Sequence, residues 1–253
     1  AQALLDTVTV GDGHALADDQ REVALRIATA PQTLTALIGP AGTGKTTSLS
    51  ALRQVWEDQH GSGSIFGLAP SAVAAAVLGT EIDVPTDNVS KWLWESTGPG
   101  AQQRSEQIEK TQQQMAALLT RLGSAPTAAQ QRTMRRLSAS LTELETTDDR
   151  YPMRPGQLII VDEASMAGAH ALDQLRDQAQ TAGAKIVAVG DPSQLGAIDA
   201  GGTLGWIERH QHEPNVTAAP LPSVWRFKNE WEAGNSLALR RGDHQAIDTL
   251  MEH

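Results

Sequence analysis

The sequence predicts an α/β fold, a mostly parallel sheet with helices on both faces. Three observations carry that prediction. A glycine loop, Gly39-Pro-Ala-Gly-Thr-Gly-Lys-Thr46, stands between a short apolar run and a helical stretch. Further short apolar runs, at 64–69, 157–161 and 184–189, alternate with helical segments. Two of these runs end directly in polar turns, Asp162-Glu-Ala-Ser-Met166 and Gly190-Asp-Pro-Ser-Gln-Leu195. Strands alternating with helices feed a parallel sheet, and such sheets bind ligands at the carboxyl ends of their strands.

Composition narrows the function classes. With 253 residues and 40% hydrophobic content, the chain can build one large core, or one core with appendages. It has no cysteine, which excludes disulfides and thiolate metal sites and agrees with a reducing, cytoplasmic setting. No apolar run is long enough for a transmembrane helix, so no membrane partner is expected. The N-terminus lacks a signal-peptide pattern and an initiator Met, and reads as a processed product or a piece of something longer. The net charge of −10 rules out a bulk basic surface for nucleic acid but leaves room for a local groove.

In chain order, residues 1–15 are expected to be a mobile lead-in. Asp18 or Asp19 caps a helix to about Thr29, with Val23, Ile27 and Ala28 as its apolar stripe. Gln20 lies in its first turn. Alone it would be a solvated helix residue; just ahead of a phosphate loop, its amide matches the N6/N7 edge of adenine. Leu34–Ile38 is a buried strand and 46–56 a helix. Strand, glycine loop and helix together suit a phosphate cradle. Gly39, Gly42, Thr43, Gly44, Lys45, Thr46 and Thr47 are therefore the candidate nucleotide-binding residues. Glycines let backbone N–H groups turn inward around an anion, and the helix N-terminus adds its dipole. Lys45 would reach the β- and γ-phosphates, and Thr46 would offer its hydroxyl to Mg2+.

The second strand, 64–69, stops at Pro70. Ser71 caps a helix over 72–78 that Gly79 closes. Pro70 and Ser71 are either an ordinary strand–helix junction or a place where N–H groups hold a nucleic-acid phosphate. Residues 85–94 read as a turn and a helix. Trp92 and Trp94 point about 200° apart, so they cannot share one core; one of them, with Trp92 as the candidate, could stack on a base, the alternative being a Trp packed under a loop. From 98 to 150 the chain turns rich in Gln, Thr, Ser and Ala, with helical spacings over 103–122 and 128–144. That predicts an inserted helical hairpin, or failing that a disordered linker.

The third strand, 157–161, delivers Asp162 and Glu163 to the sheet edge. By themselves these acids would be a helix cap. In a chain with the loop at 39–46, Asp162 suits Mg2+ and Glu163 suits polarising the attacking water. A helix over 172–182 and a fourth strand over 184–189 follow. The Gly190 turn puts Gln194 beside the same edge, where its amide could touch both γ-phosphate and water. Val224-Trp-Arg-Phe-Lys228 then carries Arg226 between aromatics, after a Pro-flanked break.

Taken in order, Gln20, GPAGTGKTT, GLAPS, VDEASM, GDPSQL and WRF resemble the motifs of a superfamily 1 DNA helicase of the RecD-like branch. TLTALIGPAGTGKTT, SVWRFKNEWE and ALRRGD look like the helicase portion of conjugative relaxase–helicases of the TraI/TrwC type. The resemblance covers roughly residues 15–95 and 155–250. It implies a P-loop, RecA-like three-layer fold, ATP and Mg2+ as cofactors, and 5′→3′ movement on single-stranded DNA. It also implies that Arg226 contacts the γ-phosphate. The domain plan that follows is a RecA-like first motor domain over 16–97 and 151–220, an insertion over 98–150, and the start of a truncated second motor domain over 221–253. The partners implied are single-stranded DNA and the remaining domains of a larger parent protein. A relaxase histidine cluster and tyrosine pair are missing, Tyr151 being the only tyrosine. Two other readings are a nucleotide-gated DNA-binding or assembly module without useful turnover, and a P-loop small-molecule kinase. The kinase would leave GDPSQL and Gln20 without a part.

Overall fold

The computed structural model describes residues 2–10, 14–122, 126–194, 202–223, 230–240 and 243–252. Helix α1 (Gln2–Leu5) and the antiparallel pair β1 (Thr9–Val10) and β2 (His14–Ala15) lead into α2 (Asp18–Thr29). Next come β3 (Leu34–Ile38), α3 (Lys45–His60), β4 (Ile65–Ala69), α4 (Ala72–Ile82) and β5 (Thr86–Asn88). Three helices follow, α5 (Val89–Ser96), α6 (Pro99–Arg121) and α7 (Ala128–Arg150). The chain continues through β6 (Leu158–Val161), α8 (Ala169–Ala182), β7 (Lys185–Gly190), α9 (Thr203–Arg209), β8 (Ala218–Pro220), α10 (Glu230–Arg240) and α11 (Gln245–Glu252). Two compact units result: Ala1–Val89 with Arg154–His253, and Ser90–Met153. No helix of the described residues is long and apolar enough to cross a membrane.

The first unit is built on a six-stranded sheet in the order β5-β4-β6-β7-β3-β8, parallel throughout. Its four central strands are buried almost end to end. Parallel sheets need that, because crossover helices cover both faces. Right-handed crossovers send the chain after β3 and β4 toward one face, and after β6 and β7 toward the other. A crevice therefore opens at the carboxyl edge between neighbouring strands whose loops part. Leu52 and Val55 of α3, Ile65, Leu158, Ile160 and Val187 form the heart of the core. Val23 and Ile27 of α2 are buried in it and Ala28 packs partly against it, as the predicted stripe requires.

Several boundaries differ from expectation for physical reasons. The N-terminal segment is part of the fold, because Leu5 and Val8 are buried in the core. Gly79 does not close α4, which runs on to Ile82. A Cβ at Gly79 would lie 2.9 Å from Thr86 Oγ1 and 3.2 Å from the Val84 carbonyl, so the glycine permits close packing rather than a helix stop. Thr86–Asn88, expected to be a turn and cap, pairs with β4 as β5. Ala218–Pro220 pairs with β3 as the edge strand β8.

In the second unit, α6 and α7 form the expected helical hairpin. They run antiparallel, since Arg104 near the start of α6 bonds Asp148 near the end of α7 at 2.9 Å. Thr127 and Gln130 make a capping box at the start of α7. The stripes are thin: Leu137 is the buried residue of α7. Buried Arg104 supplies what apolar packing does not, pairing also with the Glu95 carboxylate at 2.5 Å and the Glu95 carbonyl at 2.6 Å.

Candidate nucleotide site

The loop after β3 has the backbone an anion cradle needs. Gly42 and Gly44 sit at φ 83° and 81°, a region where a side chain is strained. Gly39 is held by contact: a Cβ there would come 2.6 Å from Thr43 Oγ1. The buried Thr43 hydroxyl donates to the Pro40 carbonyl at 2.9 Å, so Thr43 braces the loop with its side chain and can offer a ligand only its backbone. Lys45 Nζ donates to the carbonyls of Gly39 at 2.9 Å and Pro40 at 3.0 Å, which keeps its ammonium inside the loop. Helix α3 begins at Lys45 on a glycine N-cap that has no capping side chain. Its first-turn donors at Thr46 and Thr47 thus face the loop with no cap from residue 44.

The two acids stand at the end of β6, two strands from β3. The Asp162 N–H donates to the Leu68 carbonyl and the Ala164 N–H to the Val189 carbonyl, both at 2.8 Å, which ties the turn to β4 and β7. Burial pushes the Asp162 carboxyl up from the usual carboxylate range; the Glu163 N–H pulls the other way, the Glu163 and Glu81 charges push it further, and the Lys45 ammonium opposes them. That coupling places Asp162 within electrostatic reach of the loop lysine. Glu163 has φ 47°, one of two non-glycine residues with positive φ among the described residues. Strain of that kind survives where surrounding structure enforces it and gathers at functional sites.

Gln20 meets the loop directly. It is buried, and a Cβ at Gly44 would lie 2.3 Å from its Nε2. Its Oε1 accepts from the Ala17 N–H at 3.3 Å, so the residue also caps α2. The Gly190 turn arrives beside the loop, the Gly39 N–H donating to the Gly190 carbonyl at 3.2 Å. Gln194 is exposed there, its amide 3.4 Å from Asp191 Oδ2. Arg226 lies outside the described residues. Pro70 and Ser71 stand at the carboxyl end of β4, with the Ser71 hydroxyl accepting from the Ala74 N–H as the predicted cap. Trp92 is a correction. It is fully buried, with Tyr151 edge-on at 5.6 Å, and cannot stack on a base; Trp94 is the half-exposed one of the pair. A cavity of about 700 Å3, lined by Leu34, Leu172, Trp206, Ile207 and Val216, lies at the amino end of β3 and holds none of the candidate residues.

Residues 15–253 match the AAA domain family. The chain belongs to that family. A protein of Sinorhizobium fredii named "Probable conjugal transfer protein TraA" is 24% identical over 93% of this chain, and the conjugal transfer protein TraA of Rhizobium radiobacter is 26% identical over 91%. The RecD subunit of the RecBCD enzyme from Mycobacterium tuberculosis is 30% identical over 92%. The chain spans 16% of the length of these TraA proteins and 36% of RecD. The Pif1 helicase of Candida albicans shares the fold, with a TM-score of 0.53, 19% identity, and coverage of 89% of this chain and 44% of that one. This AAA domain is thus a RecD-like, superfamily 1 helicase-type domain related to TraA.

The residues fit a magnesium nucleotide. The AAA domain presents a glycine cradle, a lysine inside it, and a hydroxyl at Thr46 on the first turn of α3, all at the sheet edge that also carries Asp162. Sequence reasoning missed two residues of this region. Glu81 accepts from Thr46 Oγ1 at 3.2 Å, although a helix ending at Gly79 would have left it on a loop. Ser165 has a buried hydroxyl with no hydrogen-bond partner among the described residues, 2.9 Å from where a Cβ at Gly190 would stand. Its place in the DEASM turn was the one signal available.

Proposed function

We propose that this AAA domain is the first motor domain of an ATP-driven, 5′→3′ single-stranded-DNA translocase and helicase, within a longer protein of the conjugative relaxase–helicase kind. One observation supports it above others: Lys45 and Thr46 follow β3 and Asp162 and Glu163 follow β6, so the glycine cradle and both acids stand at the carboxyl edge of one parallel sheet. In this reading residues 16–97 and 151–220 form the motor domain, 98–150 are its insertion, and 221–253 begin the second motor domain. The polarity rests on the RecD-like and TraI/TrwC-like motifs.

Bound ATP and Mg2+ supply the phosphoryl group and the charge that eases its transfer. Lys45 and the N–H groups of 42–47 hold phosphate oxygens. Thr46 and Asp162 hold the metal. Glu163 takes a proton from the attacking water, and Gln194 orients that water against the γ-phosphate. Gln20 reads adenine. Arg226 adds its guanidinium to the transferring phosphate once a second domain closes on it. Pro70 and Ser71 contact the DNA strand.

Steady-state ATPase with and without single-stranded DNA tests this. Turnover stimulated by DNA is expected, slow in this chain and faster in a longer protein that includes a second motor domain, where Arg226→Ala should lower it. Nucleotide binding with no turnover in the longer protein would favour a nucleotide-gated assembly module instead. Unwinding of duplexes with a 3′ tail rather than a 5′ tail would reverse the polarity.

A further inference from the structure

We propose that Glu81 is a positioning residue for the divalent metal of this site: it accepts the proton of the Thr46 hydroxyl and so fixes where that oxygen's lone pairs point. The inference rests on reading the loop as a magnesium-nucleotide site.

A threonine hydroxyl has one proton and two lone pairs, and it rotates to suit its partners. Inside a helix it usually gives the proton to the carbonyl four residues back, as Ser48 does to Gly44 at 3.1 Å. Thr46 has no helical carbonyl at that distance, because residue 42 belongs to the loop and not to α3. Its acceptor comes instead from α4, Glu81 Oε2 at 3.2 Å. With the proton committed there, the lone pairs face away from Glu81 and are available to a cation. Partners of this outer kind orient ligand atoms and commonly change metal affinity by roughly 10–100-fold.

The position of Glu81 is itself held. Leu78 and Ile82 are buried on the inner face of α4. Arg53, two turns along α3 from Thr46, donates to the Ile82 carbonyl at 2.8 Å and pairs with Asp83 at 3.0 Å. The end of α4 is thus pinned to α3 immediately beyond the Thr46 contact.

The test is binding of a fluorescent ATP analogue in Mg2+ and in EDTA, for wild type, Glu81→Ala, Glu81→Gln and Thr46→Val, with thermal melts as a check on folding. Wild type should bind more tightly in Mg2+. Glu81→Ala should lose about tenfold in Mg2+ and little in EDTA. Glu81→Gln, whose amide oxygen still accepts, should keep most of the affinity, and Glu81→Ala should cost nothing further in a Thr46→Val background. A Glu81→Ala protein with the wild-type response to Mg2+, equal losses in Mg2+ and EDTA, or a Gln variant no better than Ala would overturn the role of Glu81 alone. Failure of wild type to bind the analogue would overturn the nucleotide site and this role with it.

Discussion

The amide of Gln20 lies directly on Gly44, so close that a Cβ at residue 44 would stand 2.3 Å from Nε2. The cap of α2 and the phosphate loop are therefore one packed unit. Gly44→Ala would both push the amide aside and place an alanine at φ 81°, a cost of about 1–2 kcal/mol from the backbone alone. We expect a lower melting temperature and loss of ATP-analogue binding. Gln20→Ala, which removes the amide without straining the loop, should bind ATP and GTP alike.

Lys45→Ala should leave the fold standing and reduce ATP turnover to background. The ammonium bridges two loop carbonyls, and Thr43 still braces Pro40 when it is gone. Circular dichroism and ATPase assays on the same preparation decide it; wild-type turnover in a folded variant would sink the assignment of the loop.

Glu163 separates chemistry from stability. Glu163→Gln keeps shape but cannot take a proton, so analogue binding should persist while hydrolysis falls by roughly 10²–10⁴-fold. Glu163→Gly should lower hydrolysis by as much, yet melt at or above the wild-type temperature. Relief of the left-handed backbone is worth about 1–2 kcal/mol, against about 0.5–1 kcal/mol for the greater freedom of an unfolded glycine. A marked drop in melting temperature for the glycine variant would show that the carboxylate holds the turn together.

The insertion should be removable, and the place of the cut matters. Replacing 98–150 with a Gly/Ser linker strips Arg104 from Glu95 on α5. Replacing Ser90–Met153 removes that unit whole. Both proteins should bind the ATP analogue, since every loop and acid residue of the site lies elsewhere. The wider excision should give the higher melting temperature; a result in the opposite order would show that α5 stabilises the sheet unit without Arg104.

Lys185 sets a pH dependence. Its ammonium is buried at the start of β7 and donates to the Ala30 carbonyl beyond α2. Burial lowers its pKa from 10.5 to about 8. The charged form thus costs stability in full below pH about 8, and the cost fades as pH rises toward the unfolded value of 10.5. Urea melts of wild type and Lys185→Met should diverge with pH, wild type gaining on the variant between those two values. A difference that stays flat across that range would show that Lys185 keeps its ordinary pKa.

The phosphate loop, the central strands and the paired acids were legible because each is a local pattern: an apolar run, then residues that only a particular backbone or charge would favour. What stayed hidden depends on distant partners. Thr86-Asp-Asn88 is too polar to read as a strand and becomes one by lying along Gly67–Ala69. Ala218-Ala-Pro220 has little strand propensity of its own. Helical spacing says that Trp92 and Trp94 face opposite ways, but not which one faces inward. Gly79 looks like a helix terminator, and only the nearness of Thr86 and Val84 gives its other reason; with the helix cut short there, Glu81 left no trace as a neighbour of Thr46.

The edge strand β8 carries a further consequence. Leu221 donates to Ile38 and Ala36 donates to Thr217, so residues 217 and 221 point their backbone groups at β3 while Pro220 turns its nitrogen outward. A sheet recruits another strand through a row of unsatisfied donors, and proline has none to give. The ladder is thereby closed to extension at that rung. A strand laid along this edge would go without one ladder hydrogen bond at Pro220, which weakens the edge as a template for stray chains.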